Sequence, residues 1–115
     1  MKKAKIQYAY DEVFKSCLDL FPNSVYMNLP PKETPYPFVV LSNTDTTDEV
    51  TKQIIKEKIT VTADFWCLPR QRKEVTNKVF EIKNKLRATG DTRIINDYST
   101  SQCLIHIQTR LEFKI

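Results

Sequence analysis

The sequence predicts an α+β domain in which two helices pack on one face of an antiparallel or mixed sheet of four to five strands. Three observations lead there. Two stretches repeat apolar residues at helical spacing, two others alternate apolar and polar residues, and the elements fall in the order α-β-β-β-α-β-β. A chain of 115 residues reads as one domain, 1-115. A domain of that size hides about two-thirds of its unfolded surface and needs no staples.

Residues 4–21 carry Ile6, Tyr10, Val13, Phe14, Cys17, Leu18 and Phe21 on one stripe of an amphipathic helix. Pro22 stops it, because the residue before a proline avoids helical geometry. Five of the six prolines follow at Pro22, Pro30, Pro31, Pro35 and Pro37. They predict an extended connector with a short strand at Ser24–Asn28. Residues 38–43 are apolar on both pleat faces, which predicts a central strand covered on both sides. Thr44–Lys52 is rich in threonine and acid and reads as a loop or hairpin tip.

Residues 54–68 alternate clearly. Ile59, Val61, Ala63, Phe65 and Cys67 share one face; Lys58, Thr60, Thr62, Asp64 and Trp66 share the other. Pro69 then opens a second helix with Val75, Val79, Ile82 and Leu86 on its inner stripe and Phe80 beside them. Gly90 is expected to end it, since a left-handed backbone costs glycine nothing. Arg93–Asp97 suggests a short strand. In the last strand Cys103, Ile105, Ile107, Leu111 and Phe113 face inward, and Leu104, His106, Gln108, Arg110, Glu112 and Lys114 face outward. The outward sheet face is expected to be wet.

Composition removes several function classes. One glycine leaves no phosphate-cradling loop or dinucleotide fingerprint. One histidine leaves little for histidine-based metal sites. Cys103-x-x-His106 resembles half a zinc site, but residues three apart on a strand point to opposite faces. The three cysteines, Cys17, Cys67 and Cys103, read as reduced core thiols of a cytosolic product. No secretory leader and no run of roughly 18 apolar residues is present, so no membrane partner is expected. Asp64 and Glu112 are a carboxylate pair only if their strands align them. His106 reads as a surface histidine. The sequence therefore predicts no catalytic residues, no metal and no cofactor.

The net charge of +4 is concentrated. From Pro69 to Arg93, eight basic residues (Arg70, Arg72, Lys73, Lys78, Lys83, Lys85, Arg87, Arg93) face three acidic ones (Glu74, Glu81, Asp91). Such a segment reads as a solvated helix face, or as a surface for nucleic acid or an acidic partner.

The stretch Tyr36-Pro37-Phe38-Val39-Val40-Leu41, the strand ending Asp64-Phe65-Trp66, and the helix Lys73…Val79…Ile82…Leu86 together resemble the tail-terminator or tail-completion proteins of long-tailed bacteriophages. The lambda-type minor tail terminator is one of these. The resemblance covers residues 4–90 and lies in the order and spacing of the motifs. It implies a non-enzymatic virion component that forms a ring, usually a hexamer. The ring caps the tail tube, ends its polymerisation and meets the head connector or head-closure protein. Genomic DNA passes through its lumen without specific binding. The implied location is the tail-neck region of the virion, and the host cytoplasm before assembly.

A ring needs two different patches meeting head to tail. Trp66 is the first interface candidate, on the outward face with Leu68 of the same parity; its alternative is burial under the connector or a helix end. Tyr36 is a second candidate, and Arg70 and Arg72 follow in the basic stretch. Asp45, Asp48 and Glu49 would contact a neighbour or line the lumen. Two other readings stay open: another neck component, and a small sheet-based nucleic-acid-binding module, for which the outward face offers Trp66 as its aromatic.

Overall fold

In the computed structural model, residues 4–50, 55–99 and 102–114 are described, with the side chains of 48–50, 55–57 and 114 left aside. Helix α1 spans Lys5–Leu20, strand β1 Val25–Tyr26, β2 Phe38–Val50 and β3 Ile55–Cys67. A 3-10 turn at Pro69–Gln71 leads into α2, Arg72–Leu86, followed by β4, Thr92–Asp97, and β5, Leu104–Lys114. The predicted fold class and element order hold. The sheet runs β1-β2-β3-β5-β4, with β1 parallel to β2 and the other neighbours antiparallel.

Both helices lie on one face, over β2, β3 and β5. The core is the inner stripe of each element: Val13, Cys17 and Phe21 from the first helical segment, Val75, Val79 and Ile82 from α2, and Ile59, Val61, Ala63, Phe65, Ile107 and Leu111 from the sheet. Leu18, placed on the α1 stripe by spacing, is instead at its edge and 36% exposed. Phe21 caps α1 by donating its N–H to the Cys17 carbonyl at 2.8 Å, and its ring lies 5.6 Å from that of Phe65. Among the described residues no helix is long and apolar enough to cross a membrane.

Three expectations need correction. Residues 44–50 are not a loop: β2 continues through them, paired residue by residue with β3, while residues 51 and 52 lie outside the described set. A bulge between Leu41 and Asn43 explains why the pattern misled. One extra residue reverses the alternation, so Thr44 and Thr46, not Asn43 and Asp45, stand opposite Val61 and Ile59. Second, α2 does not end at Gly90. Arg87 takes the left-handed conformation at φ 53°, and Ala88 donates its N–H to the Lys83 carbonyl at 3.1 Å. Gly90 sits farther on, at φ +117°, where its α-carbon faces the Arg110 carbonyl too closely for any Cβ. Third, Cys103 is not a core thiol; it is partly exposed, whereas Cys17 and Cys67 are buried.

Two thirteen-residue strands, β2 and β3, span about 43 Å at 3.3 Å per residue. That antiparallel strand pair accounts for the long axis of a molecule measuring 53 × 30 × 23 Å. β5 covers β3 from Lys58 to Cys67, and β1 covers β2 only at Val39 and Val40.

Candidate functional site

The second sheet face is not uniformly wet. At the end where β2 begins, Phe38, Val40 and Leu104 are buried on it, each less than 8% exposed. The proline connector folds over them. The Tyr36 ring stacks on Phe38 at 5.3 Å, and Tyr26 meets Phe38 edge-on at 6.1 Å. Gln71 ties this cover to the start of α2. Its carboxamide oxygen accepts from the Leu68 N–H at 2.9 Å, and its nitrogen donates to the Tyr36 carbonyl at 3.2 Å.

Trp66 is partly exposed at the edge of this cover. Its cross-strand partner is His106, and the two rings lie parallel, 4.0 Å apart at 7°. His106 Nε2 is 2.8 Å from Asp64 Oδ1, with side-chain exposures of 18% and 13%. His106 is therefore not a free surface histidine. Burial alone would raise the Asp64 pKa, but hydrogen bonds from His106, Ser42 and Gln108, and the His106 charge, outweigh it and hold the carboxyl below its ordinary value. Farther along this face Glu112 pairs with Lys58 at 2.8 Å. Asp64 stands opposite Gln108 and Glu112 opposite Thr60, four residues or about 13 Å apart, so the two carboxylates do not form a pair.

A cleft of about 230 Å³ opens between connector and sheet, walled by Leu29, Pro30, Pro31, Tyr36, Phe38, Trp66 and Leu104, with Lys32, Asp97 and Ser99 completing it. A shallower depression continues from Trp66 and Leu29 to Met27, Ser42, Asp64, His106 and Gln108. Met27 and Leu29 expose 65% and 76% of their surface here. Apolar walls beside a few fixed polar groups suit the docking of an apolar side chain or extended segment.

The predicted site residues thus divide. Trp66 and Tyr36 share one cleft. Leu68 is partly exposed beyond it. Arg70 and Arg72 are exposed and line a separate depression with Pro69, Lys73, Thr76, Asn77 and Ile94. Asp45 is exposed on β2. Asp48 and Glu49 have backbones within β2, and their side chains lie outside the described residues. Sequence reasoning missed Leu29, Phe38, Leu104 and the Asp64–His106 bond. Its available signals were Leu104 at an outward position and the apolar pair Phe38 and Val40 beside Val39. Among the described residues, no three His, Cys, Asp or Glu side chains converge as a metal site.

No protein-family model matches this chain, and no curated protein matches it. Among solved structures it resembles a chain of the virion of a native gene transfer agent particle. That likeness has a TM-score of 0.59 and 11% sequence identity, and covers 96% of this chain and 100% of the other. At this identity it is a likeness of fold.

Proposed function

We propose that this protein is a non-enzymatic structural component of a tailed-phage-like virion, acting as a ring-forming tail terminator. Copies close into a ring, a hexamer being usual in the family the chain resembles, cap the tail tube, stop its growth and present a face to the head connector. The observation that carries the virion-component part of this reading is the fold likeness to a gene transfer agent virion chain over essentially the full length of both. The order of motifs from Tyr36 to Leu86 supports the same class.

The surface suits such a role. A head-to-tail ring joins two unlike patches. The Trp66–Tyr36 cleft, with Leu68 near it, is apolar and concave; the Arg70–Arg72 depression is cationic and separate. Buried aromatic anchors and arginines are the groups that dominate protein interfaces. In this reading Asp45, Asp48 and Glu49 approach a neighbour or the lumen, where like charge lets DNA slide past without adhering.

The test is a tail-tube polymerisation assay with the protein added at substoichiometric amounts. Capping predicts that growth stops early and that mean tube length falls as protein is added. Tubes of unchanged length at every ratio would exclude the terminator role.

A further inference from the structure

We infer that copies of this chain join edge to edge, the open edge of β2 from Asn43 to Val50 pairing antiparallel with the outer edge of β4, Thr92–Asp97, of a second copy. The inference rests on the ring reading and specifies how the ring closes.

Among the described residues, β2 has no strand partner on its outer side beyond Val40. β4 is the last strand of the sheet and pairs only with β5. Unpaired edges are templates for another strand, and proteins usually blunt them with lysine or proline. Neither Asn43–Val50 nor Thr92–Asp97 contains either residue; among the charges they do carry, Asp45, Asp48 and Glu49 on β2 and Arg93 on β4 oppose β2 pairing with another β2 and suit its pairing with β4.

Strand direction fixes the polarity. Through the antiparallel steps β2-β3-β5-β4, β4 runs opposite to β2. Rotation about a ring axis preserves direction along that axis, so β4 of one copy meets β2 of the next antiparallel, the better-bonded arrangement.

The free donors can be assigned. Val39 donates its N–H away from β3, to the Ser24 carbonyl at 2.8 Å. Strand alternation, reset by the bulge, turns the N–H groups of Thr44 and Thr46 to the same outer side. On the far edge, Arg110 and Glu112 donate toward the β4 side, to Asp91 and Thr89. The pairs Gln108–Arg93 and His106–Ile95 therefore exchange bonds, and Thr92, Ile94 and Asn96 face outward. Charge agrees with the pairing. The open part of β2 holds Asp45, Asp48 and Glu49 and no cation. Beside β4 stand exposed Arg93 and the Arg70, Arg72 and Lys73 group that meets Ile94. Asp97, the one acid of β4, is engaged by the Ser99 N–H at 2.8 Å.

Thr46→Pro and Asn96→Pro each remove one outward N–H while leaving the ladder inside the subunit intact. Assembly on tail tubes is compared with Thr46→Ala and Asn96→Ala, which keep the N–H. Both proline variants should fold, by circular dichroism, and lose ring formation at least tenfold; both alanine variants should assemble. Amide exchange on the wild type gives a second readout that needs no variant: Thr44, Thr46, Ile94 and Asn96 should exchange at least tenfold more slowly in the ring than in the free chain. A ring whose outer-edge amides exchange at free-chain rates, or folded proline variants that assemble like wild type, would overturn edge pairing and leave the ring reading standing. A wild-type chain that never associates, alone or on tubes, would overturn both.

Discussion

Replacing His106 with phenylalanine separates two interactions that meet at one ring. A phenyl group keeps a flat surface against Trp66, 4.0 Å away, and removes the bond to Asp64. The Asp64 and His106 side chains are 13% and 18% exposed, so their bond is screened far less than a surface pair worth about 0–1 kcal/mol. A partly buried hydrogen bond to a charged group is worth about 1.5–3 kcal/mol. A double-mutant cycle with His106→Phe, Asp64→Asn and the double variant, followed by urea unfolding, should therefore give a coupling near 2 kcal/mol at neutral pH, on the order of that range. The pH dependence has a definite sign. The folded-state pKa of Asp64 is lowered, so its contribution is complete above the unfolded carboxyl value of about 4. It is lost as pH falls through the folded value. The coupling should shrink on that acid limb. A coupling within about 0.5 kcal/mol of zero at neutral pH, the scatter of independent sites, would refute the reasoning.

Four further outcomes follow from the packing. Gly90→Ala should destabilise by at least about 1–3 kcal/mol, because φ +117° and the Arg110 carbonyl both exclude a Cβ; Arg87→Gly, at φ 53°, should stabilise by about 1 kcal/mol, both read by urea unfolding. Phe65→Ala removes a 1% exposed ring between Phe21 and the sheet and should cost about 3–5 kcal/mol in the same assay. In native protein a thiol reagent should label Cys103 first. Burial pushes Cys17 to about 12 and Cys67 to about 11, so those two should react only on unfolding; rapid native labelling of Cys17 would contradict the core assignment.

The helices and long strands were legible because their inner faces are written as simple periods: Val75, Val79 and Ile82 at helical spacing, and Ile59 to Cys67 in alternation. The continuation of β2 was not. Its residues 43–47 are mostly exposed and polar, and a bulge broke the period where the apolar signal ended. The helix stop failed for a different reason. Glycine suits a left-handed cap, but here the close approach of β5 claims Gly90, and Arg87 supplies the cap at some cost in strain. At the candidate site, Trp66 and Tyr36 were legible as aromatics outside the helical and core patterns. Their shared cleft was not, because it depends on the path of the proline connector, and the Asp64–His106 bond depends on the register between β3 and β5.

The central claim is that copies of this fold close a ring on the end of a tail tube. Electron microscopy of tail tubes mixed with gold-labelled protein tests it most directly. The account predicts one annular cap, with label, at a single end of each tube. Label scattered along the tube wall, or bare tube ends at saturating protein, would contradict it.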